Sequence, residues 1–132
     1  PFLKPIISLK TIISQIHKIK KGESVGYNKG FIAKEDTLIA TLPIGHADGI
    51  YRHYGKGNGK VQVKGKLVPI IGNVCMDMMM IDISKIKCQE GDSVIIFDDK
   101  NISAEDFSKS ADTISYEIIT SLSKRIRRIV VQ

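Results

Sequence analysis

Val61-Gln62-Val63-Lys64-Gly65-Lys66-Leu67-Val68-Pro69-Ile70-Ile71 is the stretch whose reading decides the fold. Its first three residues alternate apolar and polar, the period-two pattern of a strand with one buried face. Lys64-Gly65-Lys66 supplies a turn, and the apolar run resumes at Leu67, so the segment reads as a β-hairpin. Working outward, residues 24–33 and 37–44 read as strands, as do residues 78–83 and 93–97, with Gly91-Asp92 as a turn between the last two. Residues 11–20 are ambiguous: Leu9, Ile13 and Ile16 have helical spacing, while the β-branched content favours a strand.

The last third changes character. Ser103 can cap a helix whose first turn carries Ala104, Glu105 and Asp106, acids placed at the positive helix end. A second helix is expected from about Thr113, with Ile114, Ile118 and Leu122 on one face and Tyr116 displaced from it. Residues 126–131 have the composition of a closing strand. The expected fold class is mainly β: an antiparallel, β-barrel-like domain with one or two short helices near the C-terminus.

Composition bounds the rest. A length of 132 residues suits a single domain, 1–132, with a modest core. The 42% apolar and 26% charged residues exclude a disordered chain. No apolar run approaches the roughly 20 residues of a membrane helix. Pro1-Phe2-Leu3-Lys4-Pro5 has no basic region followed by a long apolar stretch, so it does not read as a signal peptide. The chain also starts without Met, as a chain cut or processed there would. Cys75 and Cys88 are too few for a disulfide framework and match no zinc spacing, so a reducing cytoplasm and no metal are expected. The net charge of +6 raises the question of nucleic acid. Sixteen lysines scattered from Lys4 to Lys124, against four arginines, form no dense stripe; Lys124-Arg125 with Arg127-Arg128 is the one tight basic group. Arg is the residue preferred for bidentate phosphate and base contacts, so the charge reads as solvated surface.

Glycine-rich loops interrupt the strands: Gly45-His46-Ala47-Asp48-Gly49, then Tyr51-Arg52-His53-Tyr54-Gly55 and Gly57-Asn58-Gly59. Loops this dense in His, Asp, Arg and Tyr are where function tends to sit on a β scaffold.

Four segments, in order, carry a resemblance. They are Gly22-Glu23-Ser24-Val25-Gly26-Tyr27; Leu42-Pro43-Ile44-Gly45-His46-Ala47-Asp48-Gly49; Pro69-Ile70-Ile71-Gly72-Asn73-Val74-Cys75-Met76-Asp77; and Thr113-Ile114-Ser115-Tyr116-Glu117-Ile118. Gly91-Asp92-Ser93-Val94 and Leu122-Ser123-Lys124-Arg125-Ile126 fit the same pattern. Together they resemble the C-terminal domain of bacterial alanine racemases from about residue 8 onward. The Cys-Met-Asp and Tyr-Glu segments are the most specific.

The resemblance implies an isomerase that interconverts L- and D-alanine and supplies D-alanine for peptidoglycan in the cell wall. It implies pyridoxal 5'-phosphate (PLP), held on a lysine of an N-terminal barrel absent from this chain. It implies a head-to-tail homodimer in which this β domain meets the PLP barrel domain of its own and the partner subunit. Racemisation removes a proton from one face of the substrate Cα and returns one to the other, so two opposed acid–base groups are needed. By resemblance the barrel lysine serves one face, and Tyr27 serves the other in the partner's site. The Met76 backbone N–H would hold the substrate carboxylate, with Asp77 beside it. Tyr116 would hydrogen-bond the cofactor phosphate. His46, Arg52, Asn73 and Ile114 would line the substrate channel, and the Met78-Met79-Met80 run is expected to pack in the core.

Two positions depart from the pattern: the family usually has Tyr at His46 and commonly Arg at Asn73. His46 could change channel width, substrate preference and pH response, because imidazole titrates near physiological pH. Alanine is the favoured substrate, with serine or another small amino acid open. A His in this loop of an Ile- and Lys-rich chain also resembles racemases fused behind a Mur-type peptidoglycan ligase. The other classes considered are a small basic β-barrel binding module for RNA or an acidic partner, and a non-catalytic dimerisation domain. The first lacks paired surface aromatics on adjacent strands for stacking bases.

Overall fold

The computed structural model describes residues 7–25, 30–100, 102–109, 119, 121–124 and 126–130. The strands are β1 (Leu9–Ile12), β2 (Gln15–Ile19), β3 (Ser24–Val25), β4 (Phe31–Ile32), β5 (Thr37–Leu42), β6 (Lys60–Val63), β7 (Lys66–Ile71), β8 (Met79–Asp82) and β9 (Ser93–Phe97), followed by helix α1 (Ala104–Lys109). Seven strands form one sheet in the order β1-β9-β6-β7-β8-β5-β2, every pairing antiparallel; β3 and β4 pair with each other.

The sheet is rolled, and the reason lies at residues 13–14. β1 and β2 are its two edge strands, yet they are joined by only Ile13 and Ser14. Two residues span roughly 7 Å at most, so the edges must lie side by side. Ile13 N donates to Asp92 O on the β9 side, and Ser14 N donates to Thr41 O on the β5 side. Successive residues of an extended chain thus serve opposite ends of the strand order, which makes the fold barrel-like. The crossing also resolves the ambiguity of residues 11–20. Leu9 and Ile13 are buried before it, and Ile16 packs on the same core after it. The inward parity switches from odd to even, and that switch imitates helical spacing.

The barrel interior is one core that takes Ala40 and Leu42 from β5, Val61 and Val63 from β6, Val68 and Ile70 from β7, Met79 and Ile81 from β8, and Val94 and Ile96 from β9. Alternate residues point outward, and there a second cluster forms from Ile39, Ile71 and Met80 with Ile19 alongside. The β3–β4 hairpin covers it with Val25 and Phe31.

Several expectations are corrected. Residues 24–33 are not one strand: the chain reverses between Val25 and Phe31, which pair across β3–β4. Gly26, Asn28 and Gly30 are the turn-prone residues in that stretch. Met79 and Met80 are buried on opposite faces, but Met78 is exposed rather than packed. The turn expected at Gly91-Asp92 is present, with Asp92 N donating to Gln89 O and Gly91 at φ +92°, while the strands on its two sides, β8 and β9, do not pair with each other. Residues 126–130 form no strand. The Arg128 guanidinium instead donates to the carbonyls of Leu122, Ser123 and Ile126, curling this segment on itself. The Ser103 cap is present: its Oγ accepts the Asp106 N–H at 3.0 Å. The expected second helix falls mostly outside the described residues. Within them, no helix is long and apolar enough to cross a membrane.

Candidate functional site

Three loops meet where β5 and β7 end. The first follows β5 and makes a 3-10 turn at His46–Asp48. Asp48 is buried; its carboxylate accepts the Gly45 N–H at 3.0 Å, while its own N–H donates to Gly45 O at 2.9 Å. This reciprocal pair fixes the turn. The second loop, residues 72–78, joins β7 to β8 and is closed by Cys75 N donating to Met78 O. The two loops are fastened together: His46 N donates to Cys75 O at 2.9 Å, and Ala47 N to Met76 O at 2.8 Å. Gly45 permits this, because a Cβ there would collide with the carbonyl of Cys75 and the amide of Met78.

The third loop makes a 3-10 turn at Arg52–Tyr54. Lys56 N donates to Gly72 O at 2.7 Å and Gly57 N to Ile70 O at 2.7 Å, so it packs along the start of the second loop. A series of rings anchors this region to the core. His46 lies 5.1 Å from Tyr51, Tyr51 lies 6.0 Å from His53, and His53 lies 5.0 Å from Tyr54. Tyr54 stacks on Phe107 of α1 at 4.4 Å, and Phe107 meets Phe97 of β9. Buried aromatic pairs of this kind add about 0.5–1.5 kcal/mol beyond the area they cover.

On this frame, Met76 and Asp77 stand on the second loop and are exposed, with Met76 at 60%. The Met76 carbonyl is used by Ala47, but its N–H has no acceptor among the described residues. Asn73 is half-buried at the start of the same loop. His46 is half-buried, and its Nδ1 is enclosed with no hydrogen-bond partner among the described residues. Arg52 is exposed on the third loop. The fold therefore brings His46, Asn73, Met76 and Asp77 onto two interlocked loops, with Arg52 on the loop packed beside them. Tyr27, Ile114 and Tyr116 lie outside the described residues. Away from these loops, burial raises the Cys88 thiol pKa; Asp92 adds to the rise, and Lys64 partly offsets it.

Sequence reasoning missed the linking parts. Asp48 could have been found from the spacing Gly45-x-x-Asp48, in which a carboxylate three residues on reaches back to the turn's first N–H. The stack of Tyr54 on Phe107 has no local signal, since the two residues come from different thirds of the chain.

Residues 6–130 match the family described as alanine racemase, C-terminal domain. The alanine racemase of Helicobacter acinonychis (strain Sheeba) is 46% identical over 132 residues, covering 98% of this chain and 35% of that protein. Among solved structures, the alanine racemase from Bacillus anthracis with bound L-Ala-P matches at a TM-score of 0.87 and 38% identity, over 95% of this chain and 32% of that one. The alanine racemase from Bartonella henselae with covalently bound pyridoxal phosphate matches at 0.89 and 33% identity, over 94% and 34%. The chain thus spans about a third of the length of these relatives. By fold, by sequence and by the order of its loop motifs, it belongs to the alanine racemase C-terminal domain family.

Proposed function

We propose that this chain is the β domain of a PLP-dependent alanine racemase that interconverts L- and D-alanine. The observation that carries this reading, beside family membership, is the Met76 N–H, which has no acceptor among the described residues, on an exposed loop held by its neighbours' backbone. Such a donor can orient a carboxylate without titrating. Asp77 follows it in the same loop, Arg52 stands on the adjoining loop, and by family resemblance His46, Asn73, Arg52 and Ile114 shape the approach.

Tyr27 carries the proton at one face of the substrate Cα. As phenolate its oxygen takes the proton while the bonding pair stays on carbon, and in the reverse direction the phenol returns a proton. A phenol's ordinary pKa of about 10 means that neighbours must stabilise the phenolate, and those belong to the barrel rather than to this chain. PLP, when bound, supplies the electron sink for the charge left at Cα. Tyr116 contributes a hydroxyl to the cofactor phosphate of its own subunit, and the lysine that carries the cofactor is on the barrel. The relative with covalently bound pyridoxal phosphate supports PLP as the cofactor of the full-length protein. The reading includes a homodimer, a cytoplasmic setting and D-alanine destined for peptidoglycan.

The test is Tyr27→Phe in the full-length protein that this reading requires. Racemisation should fall by roughly 10²–10⁴-fold, the usual contribution of a positioned acid–base group. Cofactor absorbance and dimer mass should be unchanged. Undiminished racemisation by the variant would refute the assignment.

A further inference from the structure

The β3–β4 hairpin brackets Tyr27 in sequence and lies at the far end of the β2–β5 pair. Gly22 N donates to Ala33 O and Ala33 N to Glu23 O between the two, and among the described residues β3 and β4 pair at Ser24 with Ile32 and Val25 with Phe31. Its underside, Val25 and Phe31, rests on Ile39, Ile71 and Met80. An apolar contact of that kind holds a hairpin down but resists sliding poorly, because dispersion and burial are not directional. An open hollow of about 530 Å³ lies beside it, with Phe31, Lys56, Pro69 and Asp82 in its lining.

The end of the hairpin away from β2 and β5 has a contact of its own, with the second loop. Gly30 sits against the second loop so closely that a Cβ on it would lie 2.6 Å from Asn73 N, 2.7 Å from Asn73 Nδ2 and 2.9 Å from its Cγ. Gly30 is not in the left-handed region, so an alanine there meets no backbone strain, only Asn73. Beside it, Gly72 (φ +66°) passes beneath the same hairpin; a Cβ there would lie 3.3 Å from Val25 O and 3.5 Å from Phe31 Cβ. Three residues after Asn73 stands Met76, on a loop pinned to the His46 turn.

We propose that Gly30 and Asn73 form a positioning contact that sets the Tyr27 hairpin against the Met76 loop. The proton-carrying group and the carboxylate-orienting group are thereby held on one frame. Neither residue touches the reacting atoms; they act through the placement of Tyr27. The proposal rests on the acid–base reading of Tyr27.

The experiment uses Gly30→Ala in the full-length racemase with Cα-deuterated L- and D-alanine. A misplacement of about 1 Å can lower a rate 10²-fold, so kcat should fall about 10- to 100-fold while KM changes less than about threefold. The isotope effects carry the discrimination. A slower Tyr27 step raises the effect for the enantiomer whose proton Tyr27 takes, and lowers it toward unity for the other. A smaller folded fraction would lower activity and leave both effects where they were. Asn73→Ala removes two of the three atoms that Gly30 abuts and keeps the backbone, so it should show the same asymmetry at smaller size. Should Gly30→Ala fail to fold, Asn73→Ala decides. Isotope effects equal to the parent's overturn the proposal. The acid–base reading fails separately, if Tyr27→Phe racemises at the parent rate.

Discussion

The two hairpins of this molecule are made in opposite ways. The β6–β7 hairpin has four paired positions and a two-residue turn, Lys64-Gly65, in which both residues have positive φ (51° and 79°). That is the turn whose twist matches the strands it joins. Its alternation, turn and register are written in its own residues, and the larger sheet then encloses it. The β3–β4 hairpin has two pairs among the described residues; it extends the β2–β5 pair and rests on Ile39, Ile71 and Met80, with Gly30 against Asn73, and of these Ile71, Asn73 and Met80 are distant in sequence. A hairpin encoded locally is suited to nucleating a sheet. One encoded by its floor is suited to holding a residue at a chosen place against another loop.

Substitutions can break or sharpen this contrast. The largest effect is expected for Met80→Ala, which empties the floor beneath β3–β4 and should cost about 2–5 kcal/mol. Amide exchange at Val25 and Phe31 should accelerate more than at Val61 and Val68. Equal acceleration would mean that the two hairpins share one fate. Gly65→Ala should follow, at roughly 1–2 kcal/mol in a urea titration, because its conformation is left-handed. Nothing lies within 4 Å of the added Cβ, so that loss would be the backbone's alone. An unshifted urea midpoint would show that the turn is not what specifies β6–β7. The smallest effect is expected for Leu67→Lys, on the same hairpin but 59% exposed, with a stability change within about 0.5 kcal/mol. A larger shift in thermal midpoint would place Leu67 in an interaction of its own.

The same contrast explains what could be read from the sequence. Residues 61–71 were legible because period-two burial and turn chemistry agree there. Residues 93–97 were read with the bounds they have, and Ser103 announced its helix by capping chemistry. Residues 24–33 looked like one strand because Ser24, Val25, Phe31 and Ile32 all favour extended backbone, and nothing local says that the last two fold back on the first two. Residues 126–130 have strand composition, but the Arg128 bonds to nearby carbonyls hold them otherwise. Within the candidate site, the motif order singled out His46, Asn73, Met76 and Asp77, which the fold carries on two interlocked loops. The hydrogen bonds that interlock their loops, and the close approach of Gly30, arise from chain segments meeting in space.

The crossing at Ile13 and Ser14 bears on how the chain folds. The first half of the seam strand precedes its partner by more than eighty residues: Leu9 pairs with Phe97, and among the described residues β9 is the strand it pairs with. The second half can pair with β5 much sooner. During synthesis residues 9–12 therefore wait as an unpaired edge, with Ile12 half exposed even in the finished fold. Closing the seam is a late, non-local event of the sort that slows folding and leaves a strand open to the wrong partner.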